Sequence, residues 1–407
     1  VKDKADILSK GCIAGGNLYP KQETGVTTAH NAEGTEGTDN RPNEEIITIV
    51  VYYPESATVT VETSALDEAS VPKISIGVRA FAGQLADESD SNGSSYDENA
   101  TFLIEASNAI ELTQTIRDAN AGDTIKLTNN ITDANTLTIK KKLTIDLNGK
   151  TLASTESNAI KLETNADLTI TDSSVGETGK ITNSYSGSNN STTIDIVGKG
   201  AIFTLLSGTV EANEKDYLYT VAIGNSKKKA CTVNIAGGMV TVPAGYENSR
   251  AIVASNGMML NISGGKSVGG LYGIDLYAGS VTTITGGKVY ANAVDGRTDE
   301  YGKQYAIHAK GEATLTIGSL DAATMPEVKG IKFESSGVNT ELPTINLVKG
   351  NITNPIYSME TKYNYKLFKL GIVAGAPVIF TDNTAQYFLP DGLKMTENNG
   401  TWTVTAE

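Results

Sequence analysis

The sequence predicts an all-β chain wound into a parallel β-helix solenoid, and three features of its 407 residues predict it. One short pattern is rewritten several times between Asp123 and Ala376. Apolar residues inside it alternate with period two, and its segments are too short and too rich in Ile, Val and Thr for paired helices. The pattern is clearest in AIKLETNADLTI at 159–170, AIVASNGMMLNISGG at 251–265, GIDLYAGSVTTITGG at 273–287 and AIHAKGEATLTIG at 306–318. Its first isoleucines are Ile160, Ile194, Ile223, Ile252, Ile274 and Ile307, with spacings of 34, 29, 29, 22 and 33 residues. Within a unit the distance is steadier: Ile160 to Ile170, Ile252 to Ile262, Ile274 to Ile284 and Ile307 to Ile317 are each 10 apart. A steady inner spacing inside a variable outer one is what stacked coils with loops at one corner produce, and the period falls in the solenoid range. A leucine-rich repeat would need a fixed framework of Leu and Asn, which is absent. No single coil can bury its own apolar face, so the stack must cooperate. Eight or nine coils at a strand separation of roughly 4.8 Å would make a stack of about 40 Å.

The run AGDTIKLTNNITDANTLTIKKKLTIDLNGKTL at 121–152 resembles the first coils of large adhesin-like bacterial surface proteins. Over residues 107–407 the repeats resemble the pectate-lyase-like superfamily of right-handed parallel β-helices. The resemblance implies the handedness of the winding. It implies no single activity, because that superfamily holds lyases, hydrolases, phage tail proteins, autotransporter passengers and adhesins without catalysis.

Taken in order, residues 1–44 form a polar lead-in whose stretch HNAEGTEGTDNRPNEE at 30–45 has no apolar periodicity and reads as a tether. Residues 45–106 carry strand candidates at 45–53, 57–61, 73–78 and 101–104, with Pro54 and Pro72 in the gaps. That length suits a small β-sandwich-like domain with little core of its own, packed on the first coil. Ser107 can cap a helix from Asn108 to Ala119, with Ile110, Leu112, Ile116 and Ala119 as its apolar stripe. A β-helix needs such a lid, since its open end exposes strand edges and an apolar cross-section. The N-terminal cap is therefore assigned to 107–122 and the β-helix to 123–376. Residues 377–407 close the chain with a strand, an Asn-Asn-Gly turn and a final strand containing Trp402, a hairpin expected to cap the far end.

Composition points outside the cell. With 47 acidic against 33 basic residues the formal charge is −14, which argues against nucleic acid and anionic membrane as partners. No apolar run is long enough to cross a membrane. Cys12 and Cys231 have no metal-ligand spacing and make no disulfide framework. Cys12, after Leu8-Ser9-Lys10-Gly11, lacks the upstream apolar segment of a lipoprotein box. A leader, and any lipidated cysteine lost with it, would precede the sequence given. No cofactor is expected. A calcium site can be imagined among Asp87, Glu88, Asp90 and Asp97, but the alternation of a calcium-binding loop is missing there.

Two outward rows are candidates for contact. In the second strand of each unit, Thr144, Thr169, Asn234, Asn261, Thr283 and Thr316, with Thr204 and Thr344, form a hydroxyl and amide ladder that suits strand geometry. Ordered hydroxyl arrays can also bind ice or sugar surfaces. In the first strand, the residue after each marker Ile is expected to face out: Lys161, Asp195, Gly224, Val253, Asp275 and His308. Adjacent coils would bring Asp275 beside His308 and Tyr277 beside Lys310. Such a quartet fits sugar chemistry, with Lys310 or His308 taking the α-proton of a uronic acid, or Asp275 acting as base, and Tyr277 stacking on a pyranose. Hydrolysis wants a second carboxylate, and neither neighbouring coil offers an obvious one. Arg250 and Arg297 lie where coil loops are expected, so there is no arginine cluster for a lyase. An Asp beside a His on adjacent strands also makes a favourable surface pair.

Long insertions at 173–191 and 292–304 give a second contact zone, and Tyr185, Tyr217, Tyr219, Tyr246, Tyr272, Tyr290, Tyr301 and Tyr305 cluster near these corners. The expected protein is a monomeric, secreted or surface-tethered bacterial module touching a host or plant glycan or a host protein receptor. A polysaccharide lyase or glycoside hydrolase working through Asp275, His308 and Lys310 is the alternative, and a passive stalk is a third.

Overall fold

The computed structural model describes residues 103–183, 185, 191–212, 220–243, 249–291, 305–335, 341–353, 356–358 and 368–407. All of these lie in one compact unit, Thr101–Glu407. The lead-in, nearly all of the proposed N-terminal β domain and the imagined calcium loop lie outside the described residues.

Three parallel sheets run along the stack, as a parallel β-helix requires. The first has ten strands, from Leu103–Ala106 to Thr344–Leu347, and the second nine, from Leu137–Ile139 to Ile356–Ser358. The third begins at Ile131–Ala134, continues through Gly350–Ile352 and Val378–Phe380, and ends in two antiparallel strands. Each chain segment visits the sheets in turn, so neighbours in a sheet are one coil apart in sequence.

The isoleucine spacing explains the register. Ile160, Ile194, Ile223, Ile252, Ile274 and Ile307 pair one to the next down the second sheet, and all are fully buried. The second isoleucines do the same in the first sheet: Ile235, Ile262, Ile284 and Ile317 are successive partners. Because a strand's side-chain period is two, slipping by one residue would turn every one of these to solvent, so burial of the stack fixes the pairing.

The Gly-Gly corners follow from close coil packing. Gly238, Gly265 and Gly287 have φ of 64°, 67° and 75°, which side chains rarely tolerate. A Cβ on Gly265 would meet the carbonyl oxygen of Gly237, one coil below, at 2.5 Å.

The N-terminal lid is the helix Ala109–Asp118, and its cap differs from expectation by one residue. Asn108 is extended and accepts the Glu111 N–H at 2.9 Å, while Ser107 donates its N–H and hydroxyl to the Glu111 carboxylate. Leu112, Ile116 and Ala119 enter the core as expected, whereas Ile110 is 71% exposed and Thr115 takes its place on the buried stripe. Leu103–Ala106, read from sequence as part of the preceding domain, instead pairs in parallel with Thr124–Leu127 and opens the first sheet.

At the other end, Thr401–Ala406 and Leu393–Asn398 form the expected hairpin, with Asn399 and Gly400 at φ of 50° and 78° in its turn. Phe380 pairs with Trp402, so the hairpin extends the third sheet antiparallel, and Met395 and Val404 seal into the core. Its outermost strand, LKMTEN, carries Lys394 and Glu397, charges that discourage further strand addition.

Candidate functional site

The four candidates from the first-strand row do come together. Asp275 pairs with His308 and Leu276 with Ala309, which sets Tyr277 opposite Lys310. The next coil adds Lys332 beside His308 and Glu334 beside Lys310.

Their surroundings differ from the expectation of an open outer row. Asp275 is 0% exposed and His308 3% exposed. The Asp275 carboxylate is held on both oxygens: Arg250 Nε donates to Oδ2 at 2.6 Å, and His308 Nδ1 lies 3.1 Å from Oδ1. On the far side of the imidazole, Nε2 lies 3.2 Å from Glu334 Oε1, off the line along which a ring N–H would donate. Lys310 Nζ reaches the same Glu334 oxygen at 3.1 Å and sits 5.2 Å from the centre of the Tyr277 ring. Tyr272 covers the imidazole, ring centres 4.5 Å apart, and the Arg250 guanidinium lies 5.8 Å from the Tyr272 ring. Alternation places Asp275 on the outer side of its strand, but side chains from the coil on either side, Arg250 and His308, close over it.

Charges within this cluster answer one another. Burial pushes the Asp275 carboxyl up, but the hydrogen bond and charge of His308, with Arg250 and Lys310, outweigh it and hold the group below the usual carboxylate range. Burial likewise raises Glu334, yet its contacts with His308 and Lys310 bring it down to about 2. For Lys310 burial lowers the ammonium, and Asp275 and Glu334 more than reverse this. Burial and the nearby Asp275 charge push the Tyr277 phenol up. Tyr277, 37% exposed, and the partly exposed Lys310 form the rim of this cluster.

The same column shows how the fold treats an outward carboxylate elsewhere. Asp195 is buried too, accepting from the Ser226 N–H at 2.9 Å and its hydroxyl at 2.7 Å one coil away. Asp275 is the member of that column answered by a cation and an imidazole instead.

Sequence reasoning missed Arg250, Tyr272 and Glu334 as members of the cluster. Arg250 was expected in a loop but opens the strand Arg250–Ala254 and is buried. Tyr272 occupies the equivalent opening position of the next coil, paired with Arg250. Glu334 supplies a second carboxylate from beyond the adjacent coils, two coils from Asp275.

The hydroxyl and amide ladder is continuous. Thr144, Thr169, Thr204, Asn234, Asn261, Thr283 and Thr316 are successive partners in the first sheet, followed by Asn346 and not Thr344, which pairs with Thr314. Asn261 donates to the Asn234 amide oxygen at 3.0 Å, and Asn234 to the Thr204 hydroxyl at 3.3 Å.

Of the corner tyrosines, Tyr217, Tyr219, Tyr246 and Tyr301 lie outside the described residues, as does the insertion 292–304. Tyr272 and Tyr305 are buried, and the Tyr290 hydroxyl donates to Glu327 at 2.7 Å, so these three serve the scaffold. Cys231 is buried, and burial with the Asp195 charge pushes its thiol up to about 11, consistent with a packing role. Among the described residues, no three His, Cys, Asp or Glu side chains are placed to hold a metal ion. No described helix is long and apolar enough to cross a membrane.

Compared with known protein families, curated proteins and solved structures, the chain matches none.

Proposed function

We propose that this protein is a non-catalytic adhesion or glycan-contacting module, displayed outside the cell by a bacterium and built on a rigid β-helix. The observation that carries this reading is the closure of the Asp275–His308 pair: a general base must reach the proton it abstracts, and both side chains are buried and engaged with neighbouring charges. What such a surface offers a partner is repeated weak contact, because residues one coil apart recur at a fixed strand spacing and many small contacts add as avidity. In this reading Tyr277 and Lys310 are the members of the quartet open to a ligand, and Asp275 and His308 position them. The partners are host or plant glycans, or a host protein receptor.

One observation favours the lyase or hydrolase alternative: Glu334 gives the cluster a second carboxylate, on the side of His308 away from Asp275. The two readings separate on product. Intact protein is incubated with a panel of host and plant glycans that includes uronic-acid polymers, with and without calcium, and both retention and chain cleavage are measured. Retention without cleavage is expected. Cleavage that disappears in folded Asp275→Asn protein would sink the non-catalytic reading.

A further inference from the structure

Part of the outer face of the first sheet carries no charge. On five consecutive strands, Ile202–Leu205, Cys231–Ile235, Met258–Ile262, Val281–Ile284 and Thr314–Ile317, neither the two outward positions nor the residue that follows the strand is ionisable. That makes three positions on each of five strands, fifteen in all, in a chain of which 20% is charged. Protein surfaces ordinarily carry about 25–35% charged residues, so three or more would be expected here. Charge returns on the same rows nearer the N-terminal end, at Lys142 and Asp167, and on the third sheet, where Lys180, Glu211, Lys288 and Glu327 face outward.

Down the middle of this face runs the Thr and Asn ladder, half-buried throughout, its amides linked in one direction by the Asn261 and Asn234 hydrogen bonds. Beside it stand apolar side chains about half exposed, Met259 and Val281 adjacent in register and Leu206 on the other flank. The face therefore offers fixed hydroxyl and amide groups every ~4.8 Å with hydrocarbon alongside.

We infer that this face is a binding surface for an uncharged, polyhydroxylated polymer, a neutral glycan chain lying along the stack. Charge chooses the occupant. An anionic polymer finds no cation on these fifteen positions and meets a chain of net charge −14. A neutral chain of sugars loses nothing electrostatically, sets hydroxyls on the ladder and its C–H faces on the hydrocarbon. A second copy of the protein fits less well: five strands by about five residues give roughly 24 Å by roughly 16 Å, under half of the ~800 Å² per partner that a stable pair buries. The inference deepens the glycan-contacting reading and rests on it, naming the face and the ligand class.

The test uses the full chain, retained on insoluble neutral glucan and on a soluble uronic-acid polymer. Two variants place a cation on the face, Asn261→Lys within the ladder and Met259→Lys beside it, and Thr209→Lys on the third sheet is the control. Far-UV circular dichroism and urea midpoints establish that each is folded. Retention on the neutral glucan that falls at least tenfold in both face variants and not in the control is expected. Glycan binding untouched by the face variants, or binding of the anionic polymer alone, would overturn this inference while leaving the glycan-contacting reading in place. Absence of binding to any glycan would overturn both. A dimer in solution that the face variants dissociate would overturn it in favour of a second copy.

Discussion

Replacing Asp275 by alanine tests whether the buried cluster is a structural element. The change leaves the Arg250 guanidinium and the His308 imidazole, 6% and 3% exposed, without the carboxylate that both engage. Removing one partner of a buried ion pair costs about 3–5 kcal/mol, because the other charge stays desolvated. The internal reference is Lys180–Glu211, a pair of similar length at 2.8 Å but more open to water, for which Glu211→Ala is expected to cost at most about 1 kcal/mol. Adding Arg250→Met to Asp275→Ala should restore part of the loss, giving a coupling of about 2 kcal/mol or more in a double-mutant cycle. Urea unfolding followed by far-UV circular dichroism gives the stabilities. Since solenoid stability is close to a sum over coils, hydrogen exchange in Tyr272–Leu276 and Ile307–Lys310 shows whether the loss is local. An Asp275→Ala cost no larger than that of Glu211→Ala, or no coupling to Arg250, would refute this account of the cluster.

Other consequences follow from the same geometry. Glu334 has its folded pKa held at about 2, so its contribution is fully present above the ordinary glutamate value near 4.3 and is lost as pH falls through about 2. The stability gap between the native protein and Glu334→Gln, roughly 1 kcal/mol after allowing for solvent screening, should therefore be seen near neutral pH and vanish near pH 2. A gap independent of pH would contradict it. Ile252→Ala empties a fully buried position in the marker stack and should cost about 2–5 kcal/mol in urea unfolding. Asn261→Ala removes one ladder hydrogen bond at a half-buried position and should cost only about 0.5–1.5 kcal/mol by the same measurement. Gly265→Ala, forced to φ of 67° with a carbonyl at 2.5 Å, should cost more than about 1 kcal/mol, whereas an unstrained site would gain stability.

The coil register was legible in the sequence because burial is periodic and inescapable. Each marker isoleucine must stack on the one before it, so spacing alone aligned Ile160 through Ile307. The adjacency of Asp275 and His308 followed from that alignment. Their burial did not, because alternation says which side of a strand a residue takes and not what long side chains from neighbouring coils then cover it. Arg250 and Tyr272 escaped notice since they open their strands, where turn and strand are indistinguishable in sequence. Glu334 stood in IKFE at 331–334, a coil that lacks the Thr-Ile signature ten residues on, so it carried no marker of its register. The ladder was misplaced at its last step for a related reason: Thr344 fits the residue type, but Leu347 stacks on Ile317, which puts Asn346 in the row.

In the proposed reading the cluster around Asp275 is structural and does no chemistry. Incubating the intact protein with neutral and uronic-acid polysaccharides, with retention and new reducing or unsaturated chain ends measured together, tests it most directly. Retention with no new ends is expected, in native protein and in folded Asp275→Asn alike. New ends formed by the native protein and absent with that variant would contradict it.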